Sequence, residues 1–277
     1  MKTSYKNISI LWLMSLSAFA LYSCKKTTDI KIIGSPATQI VIEGNLTNAL
    51  DSPQYVKLSY SLSAADTVVP HPVTNAMVTV TDGSNNTYNF IQQAEGTYII
   101  KSLKTHPGET YTMQVRVGDK VYTATSQMPK NDVQIDTMSI SRGDIGNDSY
   151  RVVNTFFYDP ANSNNQYRFV MTVNGVKSKT IFVMNNELVQ GKYAYMILVP
   201  YDIVLKVGDV LSTEIQCIDK KNYNYWYTLS QQQSSAILAL DNSSKSVNPV
   251  SNFDNGALGY FSAHTSHSKK YIIYGAK

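Results

Sequence analysis

Residues 110–126 read TYTMQVRVGDKVYTATS, and this stretch decides the fold class. Tyr111 and Met113 begin an alternation of apolar and polar residues that gives a β-strand one apolar and one polar face. Gly118 and Asp119 then separate this strand from a second one, which predicts a tight hairpin. Because a sheet with one apolar face needs another layer to cover it, the stretch indicates a layered β-protein.

Similar short runs precede and follow this hairpin along most of the chain. In the first part they cover residues 39–43, 54–60, 77–81, 88–91, 97–101, 110–117 and 120–126. In the second part they cover residues 133–140, 150–158, 166–173, 179–184, 193–199 and 210–218, and residues 248–263 combine a glycine-rich loop with a closing strand. Turn-delimited strands of this length are typical of β-sandwiches. We therefore predict a mainly β chain, with a β-sandwich over residues 39–129 and a second β-rich domain over residues 130–277.

One region departs from the strand pattern. Over residues 219–240 the aromatic and aliphatic residues, among them Tyr223 and Trp226, recur at helical spacing. Asp219 stands at the start of this pattern, where its side chain can cap the helix. The sequence predicts one amphipathic helix near residues 219–240, carried by the second domain. Asn174-Gly175, in the same domain, predicts a type I′ hairpin.

The amino terminus has the organisation of an export signal. Lys2 and Lys6 precede an apolar run that ends shortly before Ser23 and Cys24, and this stretch holds no acidic residue. A basic segment, an apolar segment and a small residue at the boundary are typical of a secretory signal peptide. Residues 21–24, Leu-Tyr-Ser-Cys, resemble the bacterial lipobox, apart from the bulky tyrosine.

We therefore predict a lipoprotein signal peptide over residues 1–23, lipidation of Cys24, and a polar tether over residues 24–38. An acylated Cys24 leaves Cys217 as the remaining cysteine, which excludes an intrachain disulfide and predicts a buried, small apolar side chain at that position. Loss of the signal removes two of the 24 basic residues and none of the 20 acidic ones. The mature chain is then close to neutral, which argues against nucleic-acid binding.

Three groups of segments, taken in order, resemble the Bacteroidota lipoproteins of the domain-of-unknown-function family 4249 (DUF4249). They are residues 42–45 with 55–59, residues 73–82 with 96–98 and 107–111, and residues 248–249 with 256–261. The resemblance covers nearly the whole mature chain. It implies an exported, lipid-anchored protein whose amino-terminal sandwich, residues 39–129, is immunoglobulin-like, in a family without an established activity. It also implies an association with TonB-dependent outer-membrane receptors.

Signatures of catalysis are missing from the sequence. It holds no nucleophile elbow, zincin motif, glycine-rich phosphate loop or EF-hand spacing, so we expect no enzyme activity, no cofactor and no metal. His264 and His267 have no ligand neighbours in sequence and are interpreted as part of an exposed polar tail. Four carboxylates of the second half leave a hydrolase as the least favoured alternative. They are Asp202, Asp209, Glu214 and Asp219.

Tyrosine is abundant, with 20 residues against 8 phenylalanines. Tyr193, Tyr195 and Tyr201 cluster around one strand, while Tyr223 and Trp226 lie at the start of the predicted helix. Exposed rings of this kind offer rigid contact area to a glycan or a peptide, so these five residues are the candidate ligand-binding residues. Rings packed between a sheet and a helix would give the same sequence pattern, and this alternative stays open.

Together these observations favour a non-enzymatic, lipid-anchored protein of the cell envelope. We expect it to be held in the outer membrane by its acyl anchor and to act as an accessory or binding component of a TonB-dependent type of uptake system. A surface module that binds a glycan or a peptide through exposed tyrosines is the alternative. Lys25 and Lys26 follow the cysteine, and the face of the membrane that the protein occupies is left open.

Overall fold

The computed structural model describes residues 38–49, 53–62, 69–145, 148–238 and 248–274. The predicted signal peptide, the lipidation site Cys24 and the tether up to residue 37 lie outside the described residues. Within these ranges, no helix is both long and apolar enough to cross a membrane.

The described part of the chain is mainly β, as predicted. Its strands are β1 (Ile40–Thr47), β2 (Gln54–Tyr60), β3 (Met77–Thr81), β4 (Thr87–Asn89), β5 (Ile91–Ala94), β6 (Thr97–Ile100), β7 (Thr110–Val117), β8 (Lys120–Gln127), β9 (Ile135–Ile145), β10 (Asp148–Tyr158), β11 (Gln166–Val173), β12 (Val176–Lys177), β13 (Phe182–Asn185), β14 (Tyr193–Leu198), β15 (Val210–Ile218) and β16 (Leu258–Ile272). A single helix, α1 (Lys220–Leu238), follows β15 among the described residues and confirms the predicted helix.

These strands form three sheets. A nine-stranded sheet has the order β12-β11-β15-β16-β1-β2-β6-β5, with β13 paired to β11. A four-stranded sheet has the order β4-β3-β7-β8, and a three-stranded sheet has the order β14-β10-β9. The register of β1, β16 and β15 places Leu46, Ala263 and Cys217 on one face of the large sheet. Leu46 and Ala263 enter the first core and Cys217 enters the second, so both small sheets pack against this same face.

Strand β16 joins the two halves of the chain in the large sheet. It pairs in parallel with β1, where Val41 stands opposite Leu258, and antiparallel with β15, where Cys217 stands opposite Thr265. The large sheet therefore continues across the position, between residues 129 and 130, at which the sequence predicts a domain boundary. The side chains of Phe261 and Ala263 enter the first core.

The first core lies between the four-stranded sheet and strands β1, β2 and β6. The predicted alternation is confirmed, since Tyr111, Met113 and Val115 of β7 are fully buried. They pack with apolar residues of the large sheet, including Ile42 and Val56. Polar residues of β7 alternate with them and face away from the core.

The second core lies between the three-stranded sheet and strands β11 and β15. The ring of Phe157 lies 5.0 Å from that of Tyr167 and 5.7 Å from that of Phe169, measured between centroids. Cys217 is free and 1% exposed in this core, so its predicted role as a buried, small apolar residue is confirmed. Burial raises the pKa of its thiol to about 11, so the thiolate is disfavoured at neutral pH.

Two local predictions are also confirmed. Asn174 and Gly175 have φ angles of 49° and 83°, as a type I′ turn requires at both central positions, and they connect β11 to β12. Asp219 caps helix α1, because its Oδ1 atom accepts the backbone N–H of Asn222 at 2.9 Å.

The prediction of an exposed polar tail around His264 is wrong. His264 is 3% exposed, because it lies within β16, near the middle of the large sheet. The closing strand extends to Ile272, well beyond the predicted limit at residue 263. Pairing to β1 and β15 accounts for the difference, since neighbours on both sides bury a strand that is polar in sequence.

Candidate functional site

The face of the large sheet that points away from both cores is polar. Pairing places Asn45 of β1 beside Ser262 of β16, and Arg168 of β11 beside Gln216 of β15. Since side chains alternate along a strand, the residues at every second position share this face. We call it the open face. The residues that precede and follow these polar residues along each strand are mostly apolar, and their side chains enter the two cores.

Helix α1 covers part of the open face. The rings of Tyr225 and Trp226 lie 5.2 Å and 4.8 Å from the ring of Tyr260 on β16. The amide of Asn222 donates to the carbonyl of Phe261 at 2.9 Å, which fixes the start of the helix to the sheet. The helix thus contacts strands β11, β13 and β16 and leaves the rest of the open face free for a cleft.

This cleft has a volume of about 940 Å³ and mixes charges of both signs. The side chains that line it include Asn45, Tyr55, Arg168, Lys177, Glu214 and His264. They come from strands β1, β2, β11, β12, β15 and β16. We call it the polar cleft, and its groups can donate and accept hydrogen bonds to a polar ligand.

Arg168 is the most unusual residue of the polar cleft. It is only 9% exposed, and its guanidinium lies 3.6 Å from the centroid of the Trp226 ring. Its Nη1 atom donates to Oε1 of Gln216 at 3.2 Å. Within the part of the chain that the structure describes, Arg168 forms no ion pair; the ion pair found there joins His267 to Asp132.

His264 is neutral in this setting. Burial lowers the pKa of its imidazole to about 4, with a further lowering by the positive charge of Arg168 and an opposing influence from Glu214. Its Nδ1 atom lies 3.1 Å from the hydroxyl of Ser262. A neutral histidine can both donate and accept a hydrogen bond, so it adds polarity to the cleft without adding charge.

The four carboxylates considered for hydrolysis lie in different parts of the structure and make different contacts. Asp202 accepts hydrogen bonds from the hydroxyls of Ser178 and Thr180, and Asp219 caps helix α1. Asp209 holds the turn before β15 through the backbone N–H of Lys206. Of the four, Glu214 lines the polar cleft, where it accepts hydrogen bonds from Gln216 and Ser266.

A second surface of interest lies on the outer face of the three-stranded sheet. Tyr193 and Tyr195 of β14 are each 55% exposed, and Phe156 of β10 lies between them. The ring of Phe156 is 6.0 Å from that of Tyr193 and 5.5 Å from that of Tyr195. The Tyr193 hydroxyl donates to Asp136 at 2.6 Å, which restricts that ring. We call these three rings the aromatic platform.

The structure separates the five predicted ligand-binding residues into two groups. Tyr193 and Tyr195 lie together on the aromatic platform, and Tyr201 is exposed in the loop after β14. Tyr223 and Trp226 are each 8% exposed and pack between helix α1 and the large sheet. The five therefore do not form one exposed surface. Cys24, the predicted lipidation site, lies outside the described residues.

Three residues of these surfaces were not among the residues that the sequence predicts to bind a ligand. Phe156 belongs to a predicted strand, but only its pairing with Tyr195 places it beside the tyrosines. Arg168 interrupts a mainly apolar strand, Gln166–Val173, and such an interruption is a usable signal for a buried charge. His264 carried no comparable signal, since its burial depends on a neighbour at the other end of the chain.

Comparison with known proteins gives a single family. The model of the family described as "Domain of unknown function (DUF4249)" matches residues 25–270. No curated protein matches the chain. Within the described residues, no group of three or more histidine, cysteine, aspartate or glutamate side chains could hold a metal ion.

Proposed function

The chain belongs to the DUF4249 family, and from this premise we propose that it is a non-enzymatic, lipid-anchored protein of the cell envelope that binds a partner protein. The partner is a component of an outer-membrane uptake system of the TonB-dependent type. The family itself has no described activity, so the proposal depends on the surfaces of this chain.

The observation that carries the proposal is the aromatic platform. Phe156, Tyr193 and Tyr195 present their rings side by side on the outer face of a sheet, where they cover neither core. Aromatic residues are enriched in interface cores, because they give a large contact area at a low cost in conformational entropy. Tyr158 and Ile197, 59% and 46% exposed, lie on the two strands that carry the platform and add apolar area.

The carboxylates of the second half favour binding over hydrolysis. Asp202, Asp209 and Asp219 are engaged by hydrogen bonds that hold turns or start the helix. A glycosidase needs two carboxyl groups that face each other across one cleft. In the polar cleft, Glu214 is accompanied by Asp132, which is paired with His267 at 2.7 Å.

The proposal includes the amino-terminal anchor and the finer domain assignment. Removal of residues 1–23 and acylation of Cys24 would anchor the protein through several acyl chains, as stable attachment requires. The family match begins at residue 25, directly after this cysteine. An immunoglobulin-like sandwich over residues 39–129, a second domain over residues 130–277, and a Bacteroidota origin belong to the same proposal.

The test is co-purification of the full-length protein from gently solubilised native membranes. We expect an outer-membrane receptor protein, identified by mass spectrometry, to be recovered with the wild type. The double variant Tyr193→Ala/Tyr195→Ala should lose at least about tenfold of this recovery, since interface rings are frequent hot spots. Acyl analysis of the same preparation tests the modification of Cys24.

A matched control is the double variant Gln114→Ala/Arg116→Ala, which alters two exposed residues on the outer face of the other small sheet. It should retain the receptor. Equal recovery with the platform variant and the wild type would contradict the proposal, as would recovery of the protein alone under every detergent condition.

The aromatic platform also supports a second candidate, a module that binds a glycan or a peptide. Planar rings separated by about 6 Å suit stacking against sugar faces as well as against a partner's side chains. A polysaccharide array probed with the purified protein distinguishes the two. Binding that is lost in Tyr193→Ala/Tyr195→Ala, without any receptor present, would favour this candidate.

A further inference from the structure

Arg168 carries a positive charge that the protein buries without a compensating carboxylate contact. Among the described residues, its hydrogen-bond partner is Gln216 and its other close contact is the face of the Trp226 ring. A guanidinium has five N–H donors, and buried charges in proteins are normally paired and fully hydrogen-bonded. The arrangement therefore leaves donors for a group that the protein itself does not supply.

A second unused donor belongs to the ring that Arg168 contacts. The indole Nε1 atom of Trp226 is buried and has no hydrogen-bond partner within the described part of the chain. Trp226 and Arg168 both line a cavity of about 270 Å³, beside the polar cleft. A buried donor without a partner is energetically unfavourable, so an acceptor group placed here would add a favourable contact.

Lys177 adds another positive charge, and it lines both the cavity and the polar cleft. Desolvation and the nearby charge of Arg168 lower the pKa of its ammonium group, while Glu214 and Glu43 oppose this shift. The cleft thus has one electropositive end, with two acidic side chains close enough to act on it.

We propose that Arg168 and Lys177 bind the carboxylate group of a small ligand, in the cavity beside Trp226. The planar guanidinium matches a carboxylate in a bidentate arrangement, and the Trp226 ring beside it lines the same cavity. The rest of the ligand lies along the polar cleft, where Asn45, Glu214 and neutral His264 offer polar contacts.

The acidic neighbours favour a carboxylate over a phosphate. A phosphate group carries a charge close to −2 at neutral pH, and Glu43 and Glu214 would repel it more strongly than a single negative charge. Glu214 could instead accept a hydrogen bond from a hydroxyl or an ammonium group of the same ligand. Acidic sugars and the free carboxyl end of a peptide share this chemistry. This site is separate from the aromatic platform, so either proposal can fail alone.

Tryptophan fluorescence of the full chain gives a direct test. The chain has two tryptophans, and Trp12 lies in the segment that we propose is removed, so Trp226 is the sole reporter in the mature protein; in a chain that keeps the segment, Trp12→Phe has the same effect. The probes form two matched pairs, glucuronate with glucose, and N-acetylalanine with N-acetylalaninamide. We expect at least one carboxylate probe to change Trp226 emission in a saturable manner, and to bind at least about tenfold more tightly than its neutral partner.

Two variants assign the effect to the site. Arg168→Gln should abolish the preference for the carboxylate, and Lys177→Gln should weaken carboxylate binding about three- to tenfold. Lys177 ends a two-residue strand, so its replacement is not expected to disturb the fold. The control Arg116→Gln removes an exposed arginine from the four-stranded sheet and should bind as the parent does.

The outcomes distinguish the two possible sources of the carboxylate, and they also include results that would overturn the proposal. Preference within the sugar pair identifies an acidic sugar, and preference within the amino-acid pair identifies a peptide carboxyl group. The proposal is overturned if neither carboxylate binds at about 10 mM, well above typical ligand affinities, or if charged and neutral probes bind equally. Unchanged binding in a folded Lys177→Gln variant together with unchanged binding in Arg168→Gln would also overturn it.

Discussion

The two halves of this protein share one architecture but carry different side chains on their outer surfaces. In each half, a small sheet covers part of the large sheet and encloses an apolar core. On the outer face of the four-stranded sheet, β7 exposes Gln114 and Arg116. On the outer face of the three-stranded sheet, β14 instead exposes the rings of Tyr193 and Tyr195. Strand formation does not require those rings, since the first half does without them.

The open face of the large sheet also carries different features in the two halves. Helix α1 and the buried guanidinium of Arg168 belong to the second half, and the first half contributes Asn45 and Tyr55 to one wall of the polar cleft. We infer from this difference that the first half mainly supports the fold, while the exposed rings and the buried guanidinium are concentrated in the second half. Four predictions test this division, from the largest expected effect to the smallest.

The strand that joins the halves should be the least tolerant of change. Gly259 has a φ angle of +94°, and a Cβ atom there would collide with the carbonyl oxygen of Ile42 on β1. We expect Gly259→Ala to lower the free energy of unfolding by about 4 kcal/mol or more, from backbone strain and overpacking together. Urea unfolding measures this change.

Gly118→Ala is the matched control within the first half. Gly118 has a φ angle of +57°, but an added Cβ would meet nothing within 4 Å. Its cost should stay near 1 kcal/mol, the strain of a left-handed conformation alone. Equal costs for the two alanine variants would show that the junction between the halves is not a special position.

The buried histidine at this junction should make stability depend on pH. The folded pKa of His264 is about 4, below its ordinary value of 6.5, because burial disfavours the imidazolium form. Between these values the unfolded chain binds a proton that the folded protein does not. Stability from this group is therefore complete above pH 6.5 and is lost as the pH falls towards 4, on the order of 3 kcal/mol in total.

The variant His264→Gln should remove this part of the pH dependence, as measured by urea unfolding at pH 7 and at pH 4.5. His71→Gln, at an exposed position of the first half, serves as the control and should keep it. A parent-like slope in His264→Gln would mean that other groups of the open face cause the dependence.

The cap of helix α1 should have an intermediate effect. Asp219 accepts the N–H of Asn222 and the hydroxyl of Ser126, which lies on β8 in the first half. We expect Asp219→Ala to cost about 1–2 kcal/mol in stability, as the loss of an N-cap usually does. Asp119→Ala, in the exposed β7–β8 turn, should change stability by less than about 0.5 kcal/mol. Thermal unfolding followed by circular dichroism compares them.

The outer faces should contribute least to stability. Tyr195→Ala removes a half-exposed ring that packs on Phe156 and belongs to neither apolar core, so the expected cost is below about 1 kcal/mol. Gln114→Ala, its counterpart on the other small sheet, should cost less than about 0.5 kcal/mol. A loss well above 1 kcal/mol for Tyr195→Ala in urea unfolding would assign the platform to the fold rather than to binding.

The local features of this fold could be predicted from the sequence. Strands β2, β3, β7, β11 and β15 begin and end where alternation and turn residues place them, because both signals act between neighbours along the chain. The same is true of the Asp219 cap and the Asn174-Gly175 turn. The spacing of Tyr193 and Tyr195, two residues apart in one strand, also predicts that they share a face.

The features that depend on distant pairing could not be predicted. The central position of β16 requires β1 and β15 on its two sides, and nothing near His264 in the sequence indicates either neighbour. Likewise, Tyr223 and Trp226 show helical spacing, but the sequence does not reveal which sheet face buries them. Arg168 becomes a candidate site residue only when Trp226 and Gln216 are seen beside it.

The parallel pairing of β1 with β16 also determines when, during synthesis, the chain can complete its fold. β1 is the first strand of the described fold to leave the ribosome, and β16 is the last. Until β16 has been synthesised, β1 and β15 each lack a neighbour, and Phe261 and Ala263 are missing from the first core. Contacts between such distant segments form slowly, because a long loop must close before they contribute. The newly made chain therefore cannot complete the large sheet until its synthesis is nearly finished.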